Sequence, residues 1–461
     1  MNFIGRKEEL TRIRDMLNTR DQSVALLYGR RRVGKTELLQ KAMHDSGLRG
    51  IYYECRESSE ASNTEALSEI ISDVFGIPGL SFSSFPLALK FLFEQATTEP
   101  LIVIIDEYPF LRNVVAGCDS ELQVLIDTYR NTSSLKLFLS GSYIETMKQL
   151  MSYDNPLYGR ADVKIDLQPM DYFESSLFYP SFSPEDKVRL YSVFGGIPYY
   201  NQMISEKKSV RQNLIDLLVK RGATLENEVD IYLQGELSKL ENANEAFSAI
   251  AKGKSRFSDI LSQSHIESSS ALSAVLDRLT RMGVVEKLAP INDPSNKRKT
   301  GYYIADNMTL FHYKYLFRYS SQRAVMDPDV FFDRYIASDF EEQFVPKQFE
   351  VICKQYLIRQ NRTGNPEEPF WAIGKYYYDL PAERRNGEFD VVTEDDRGYT
   401  FYEVKFRKAP VTAEMVREEI EQVNATGLNC YRYAFFSRSG FAGDVPEDII
   451  KIELKDLYTK P

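Results

Sequence analysis

The sequence predicts an α/β protein: a parallel sheet at the N-terminal end, then a helical lid, then a helix-rich unit with a two-stranded ribbon, and last a second α/β module. Three apolar runs carry the first part of that expectation. Ser23-Val24-Ala25-Leu26-Leu27-Tyr28 reads as a buried strand, followed at once by Gly29-x-x-x-x-Gly34-Lys35-Thr36 and by the helical pattern Glu37 to Ala42. Leu101-Ile102-Val103-Ile104-Ile105 is unbroken and mostly β-branched, as in a strand buried on both faces, and it closes on Asp106-Glu107. Leu135 to Leu139 is a third run, ending in Ser140-Gly141-Ser142.

A chain of 461 residues is too long for one core. The expected division is a nucleotide module over 1–168, a lid over 169–238, a helix-and-ribbon unit over 239–330 and a terminal module over 335–461. Hydrophobic residues make up 43% of the chain, enough for real cores, and the net charge of -10 confines any nucleic-acid contact to local patches. The four cysteines are scattered with no Cys-x-x-Cys pair, and three histidines cannot build a His-rich metal site. The start lacks an apolar leader segment, and no long uncharged apolar window exists, so a cytoplasmic protein with no membrane partner is expected.

The strand, glycine loop and helix around Lys35 make a P-loop. Glycines at 29 and 34 let the backbone turn tightly and aim successive N–H groups at a phosphate, and the next helix adds the positive end of its dipole. Gly29, Arg32, Val33, Gly34, Lys35, Thr36 and Glu37 are therefore candidate nucleotide-binding residues. Lys35 can reach the β- and γ-phosphates, and the Thr36 hydroxyl can ligate Mg²⁺. Asp106 would hold Mg²⁺ through water, while Glu107 would polarise the attacking water. Ser140 or Ser142 could bond the γ-phosphate or its water. Phosphoryl transfer also needs a cation near that phosphate. Arg160 is a candidate for it, in cis or from a neighbouring subunit, which leaves a homo-oligomer open. Arg6 precedes an amphipathic helix, Leu10 to Leu17, and is placed near the nucleotide.

The combination of Gly5-Arg6, Gly29 to Thr36, Asp106-Glu107, Ser140-Gly141-Ser142 and Tyr158-Gly159-Arg160 resembles the archaeal-type ATPase family of the AAA+/STAND branch, which also occurs in bacteria. That resemblance implies ATP as the nucleotide. It also implies that Gly196 and Pro198, in Val193-Phe194-Gly195-Gly196-Ile197-Pro198, belong to the helical lid, with Pro198 near the base.

Residues 243 to 305 have a different pattern. Two short helices are followed by a third, Ser268 to Met282, with Leu272, Val275, Leu276, Leu279 and Met282 on one stripe. Val284 to Leu288 and Gly301 to Ile304 flank a loop with Asn296-Lys297-Arg298-Lys299. Three helices and a two-stranded wing are the parts of a winged helix. One reading puts Ser269, Ser273 and Arg278 in a DNA major groove and the basic tip on phosphates. The other is a structural or protein-contacting winged helix.

In the terminal module, Glu341 to Leu357 reads as a helix carrying Glu350. Gly387 to Val392 and Tyr399 to Phe406 read as two strands joined by a polar turn. Residues two apart in a strand share a face, so Glu403 and Lys405 point the same way and the hairpin brings Asp390 alongside. Asp390 and Glu403 would ligate Mg²⁺, with Glu350 completing the site and Lys405 acting on a water or on phosphate charge. This arrangement is similar to the PD-(D/E)xK nuclease superfamily, with Phe389 where the superfamily name puts Pro. Acidic residues outnumber basic ones here, against a DNA clamp acting alone. Two expectations follow: an ATPase coupled to a DNA-directed winged helix and a metal-dependent nuclease-like module, or a STAND-type switch whose last domain only binds.

Overall fold

The computed structural model describes residues 3–236, 241–364, 368–380 and 385–459. Two compact units form: Met1–Met170 with Ile197–Tyr199, and Asp171–Gly196 with Tyr200–Pro461. The expected boundary between lid and helix-and-ribbon unit, at 238/239, lies outside the described residues.

The first unit is built on five parallel strands: β1 (Ser23–Tyr28), β2 (Arg49–Glu54), β3 (Leu101–Asp106), β4 (Leu135–Gly141) and β5 (Val163–Asp166). Their spatial order is β2-β3-β4-β1-β5. The apolar runs explain the middle of the sheet, since β1, β3 and β4 are buried at every position. Helices α1 (Lys7–Leu17), α2 (Lys35–Ser46), α3 (Glu60–Phe75), α4 (Phe85–Gln95), α5 (Tyr108–Val114) and α6 (Cys118–Tyr129) cover it. Leu67, Ile71, Leu89, Leu92 and Leu122 pack with Val24, Ile51, Val103 and Leu137 of the strands. Lys136 lies inside β4, and burial pushes its ammonium pKa down. The side chain snorkels to the strand's start, where it donates to Thr19 Oγ1 at 2.6 Å and to the Asp21 carbonyl.

The order matters more than the strand count. β4 lies between β1 and β3, paired in parallel with both. Three adjacent strands therefore deliver the Gly29–Gly34 loop, Ser140-Gly141-Ser142 and Asp106-Glu107 to one edge, the carboxyl end where open α/β sheets bind ligands.

The second unit begins with short helices, among them Tyr172–Ser176 and Pro184–Phe194. The latter starts on Ser183, whose hydroxyl accepts from Asp186 N–H, and has Pro184 in its first turn. It stops at Gly195, whose φ of 56° suits glycine. Helices Glu241–Ala251, Phe257–Gln263 and Ser269–Arg281 precede an antiparallel ribbon of β6 (Val285–Leu288) and β7 (Gly301–Ile304). Ser268 caps the third helix by accepting from Ala271 N–H, and Leu272, Leu276 and Leu279 form its buried stripe.

A second five-stranded sheet follows the helix Val345–Arg362. Its strands are β8 (Ala372–Leu380), β9 (Arg385–Asp395), β10 (Gly398–Lys405), β11 (Cys430–Ser437) and β12 (Ile450–Glu453), in the order β12-β11-β10-β9-β8. The β8–β9 and β9–β10 pairs are antiparallel and the other two parallel. The β9–β10 turn is tighter than the polar composition of Thr393 to Gly398 suggests. Thr393 is buried opposite Thr400, so the strand runs on to Asp395.

The loop between β6 and β7 is not a free basic tip. Ile291 N–H donates to the Lys375 carbonyl at 2.8 Å, and the Asn292 side chain bonds both the N–H and the carbonyl of Tyr377. Lys299 pairs with Asp293 at 3.0 Å and lies 4.2 Å from the centre of the Tyr377 ring. The loop thus runs along β8. Lys297 and Arg298 are its exposed cations.

Candidate functional site

The P-loop leaves β1 at Gly29. A Cβ there would meet the Leu167 carbonyl oxygen at 2.4 Å, so only glycine fits without backbone movement. Leu167 itself is tied to β1 by a bond from its N–H to the Tyr28 carbonyl. Arg32 (φ 67°) and Gly34 (φ 95°) take the left-handed conformation before α2 begins. Val33 is fully buried, and Glu37 is exposed on the first turn of α2.

Lys35 is 5% exposed. Its ammonium donates to the carbonyls of Gly29 (3.0 Å) and Arg30 (3.3 Å) and to Ser142 Oγ (2.9 Å). Burial pulls its pKa down, and Glu107 and Asp106 pull it back up. Thr36 Oγ1 donates to Asp106 Oδ2 at 2.7 Å. Asp106 also accepts from the Ser140 hydroxyl, the Tyr52 hydroxyl at 3.0 Å and Glu107 N–H at 3.0 Å. Glu107, at φ 50°, accepts from Ser142 twice, from N–H at 3.0 Å and from the hydroxyl at 2.5 Å.

The two serines left open by the sequence therefore divide the work. Ser140 holds Asp106, and Ser142 joins Lys35 to Glu107. Tyr52 was not foreseen. It lies on β2 beside β3, and nothing in its local sequence marks it. A hydroxyl and a carboxylate 2.7 Å apart are the oxygen donors a hard cation takes, so Thr36 and Asp106 fit a Mg²⁺ arriving with nucleotide.

Around this core the other expected residues vary in distance. Arg6 is buried, and its guanidinium donates to the Val33 carbonyl at 3.1 Å and to Glu9 at 3.2 Å. It braces the loop's backbone. Pro198 stands against the other side, where a Cβ on Gly34 would lie 3.7 Å from its ring, and Arg32 covers the adjoining Tyr199 ring at 4.1 Å. Arg160 forms a two-point pair with Asp127 of α6, at 2.9 and 2.7 Å, and donates to the carbonyls of Pro156 and Tyr158. None of these Arg160 partners belongs to the loop or to the Asp106–Glu107–Ser142 group.

In the second unit, the strand register brings Tyr402 opposite Val391, with Glu403 and Asp390 next along. Glu350 lies on the helix Val345–Arg362, which packs on β9 and β10. Lysines stand between these carboxylates. Lys347 reaches Glu350 at 2.9 Å and Asp390 at 3.3 Å. Lys375 of β8 reaches Asp390 at 2.9 Å and Glu388 at 2.5 Å. Lys405 reaches Glu403 at 2.5 Å and Glu419 at 2.8 Å. Among the described residues, no three His, Cys, Asp or Glu side chains form a group that could hold a metal ion. Each of the expected ligands Asp390, Glu403 and Glu350 is thus paired with a lysine. Lys347, Lys375 and Glu419 were not foreseen, because helix, edge strand and second helix meet only in the fold.

The glycine loop, the strand order and the carboxylate pair together define a P-loop nucleotide-binding domain. Residues 3–204 match the family model described as an ATPase domain predominantly from Archaea. Residues 312–423 match a second, described as archaeal and bacterial proteins of unknown function. The chain is 26% identical over 435 residues to the uncharacterized protein MJECL04 of Methanocaldococcus jannaschii, covering 93% of each. Among solved structures it is similar to the Walker-type ATPase PABY2304 of Pyrococcus abyssi, at 21% identity and TM-score 0.47, over 68% of this chain and 96% of that one. It is also similar to the Aeropyrum pernix ORC2 protein, at 14% identity and TM-score 0.47, over 70% and 97%. Among the described residues, no helix is long and apolar enough to cross a membrane.

Proposed function

We propose that this protein hydrolyses ATP and uses its nucleotide state to control a DNA-directed second unit, made of a winged helix and a nuclease-like module. The observation that carries the proposal is the chain Lys35–Ser142–Glu107, which links the phosphate-binding lysine to the carboxylate that positions water. When ATP enters, Lys35 exchanges the loop carbonyls for the β- and γ-phosphates, while Ser142 keeps its hold on Glu107. Glu107 orients the attacking water. Thr36 and Asp106 would hold Mg²⁺, which when bound would supply charge neutralisation at the phosphates. Arg160 would have to exchange Asp127 for phosphate to act as the γ-phosphate cation. Support for DNA as partner comes from the exposed Lys297 and Arg298 and from the solvent face of the third helix, where Ser269, Ser273 and Arg278 lie.

A second reading is a switch whose nuclease-like module binds without cutting, favoured by the lysines on Asp390 and Glu403. The test is ATPase activity with and without DNA, together with DNA cleavage in Mg²⁺ or Mn²⁺ by wild type, Asp390→Ala and Lys35→Ala. ATPase activity that DNA leaves unchanged would sink the DNA-directed reading. Cleavage lost in Asp390→Ala would rule out the switch.

A further inference from the structure

We infer that the charged cluster of the second unit works without a divalent cation, with Lys347 and Lys375 filling at Asp390, and Lys405 at Glu403, the charge role a metal would fill. The inference concerns the cluster itself and stands whichever partner the unit takes.

A carboxylate that ligates a metal turns its oxygens toward the ion, and other oxygens converge on the same point. Here the oxygens of Asp390 turn toward ammonium groups. Lys375 lies 2.9 Å from one of them, and Lys347 lies 3.3 and 3.4 Å from the two. Glu350, the expected helix ligand, is joined to Asp390 through the same Lys347, one helical turn away from it. Glu403 is paired with Lys405 at 2.5 Å, and a further carboxylate, Glu419, closes on that ammonium at 2.8 Å.

The lysines come from three elements: the helix Val345–Arg362, β8 and β10. Lys375 is held in place from several sides. Its side chain is 14% exposed, Glu388 lies 2.5 Å away, and the Tyr303 ring lies 5.4 Å beneath it. A divalent ion entering beside Asp390 would meet two like charges in a partly buried site, where salt and water screen them weakly. The lysines, covalently present at high effective concentration, thus compete with a cation for Asp390 and for Glu350 and Glu403 beside it.

The experiment counts Mn²⁺ bound to the full chain without nucleotide, by the loss of the free-ion paramagnetic resonance signal. Wild type is compared with Asp390→Asn and with the double variant Lys347→Gln/Lys375→Met. The expected result is equal binding by wild type and Asp390→Asn, whatever the P-loop contributes to both. The double variant then gains a site that Asp390→Asn removes again. A wild-type site lost in Asp390→Asn would overturn the inference, as would a folded double variant that gains none. Should the double variant not fold, Lys347→Gln, whose side chain is half exposed, replaces it under the same two outcomes.

Discussion

Ser142 grips Glu107 at both carboxylate oxygens, through its backbone N–H at 3.0 Å and its hydroxyl at 2.5 Å. The same hydroxyl accepts from Lys35. Removing it frees Glu107 to rotate and leaves the backbone contact intact. Ser142→Ala should therefore lower kcat by about tenfold or more while KM for ATP changes little. Glu107→Gln should cost about a hundredfold or more in kcat with ATP binding retained. Steady-state kinetics check both. A Ser142→Ala enzyme with unchanged kcat would separate Ser142 from the hydrolytic step.

Lys35 is buried, with its ammonium donating to the Gly29 and Arg30 carbonyls and to Ser142. Lys35→Ala should abolish stabilisation by nucleotide. In wild type, ATP at a hundred times its Kd adds about 2.7 kcal/mol to unfolding free energy. Thermal melts with and without MgATP read this directly, and an undiminished shift in the variant would show that the loop grips nucleotide by its backbone alone.

Gly29 touches β5's exit through Leu167. The Cβ of Gly29→Ala would lie 2.4 Å from a backbone oxygen, so the loop or the strand must move. The expected cost is about 1–3 kcal/mol of stability. Chemical denaturation is the check, with Gly79→Ala as a control for left-handed strain without crowding, since nothing lies within 4 Å of a Cβ there. Equal losses in the two variants would assign the effect to φ alone.

His312 is buried among aromatic rings, and burial with Arg323 nearby pushes its pKa down to about 4. In the unfolded chain the same group titrates near 6.5. Above that pH both states are neutral and stability is full. As pH falls, the unfolded chain takes up a proton that the folded one refuses until about 4. Stability should fall across this window by up to about 3 kcal/mol. His312→Phe should flatten the profile between pH 7 and pH 5 in urea denaturation. An identical slope in wild type and variant would place the acid sensitivity elsewhere.

What the sequence made legible was whatever is local. The strand–loop–helix around Lys35, the buried run ending at Asp106-Glu107 and the run ending at Ser142 each announce themselves within a dozen residues. Their order in the sheet, with β4 between β1 and β3, brings the three ends together. Contacts between distant elements left no trace in one sequence. Tyr52 reaches Asp106 because β2 pairs with β3. Lys375 reaches Asp390 because β8 pairs with β9. Charge pattern also misled: Lys299 looked like part of a free basic tip, and the fold spends it on Asp293 and Tyr377.

The loop along β8 has one more effect. A sheet's outermost strand usually offers a row of open N–H and C=O groups on which another chain can lengthen the sheet. At Lys375 and Tyr377 those groups are taken by Ile291 and Asn292 of the same molecule. The protein supplies its own terminating segment, so strand addition is blocked at Lys375 and Tyr377, and Asn292→Ala would reopen the backbone groups of Tyr377 alone.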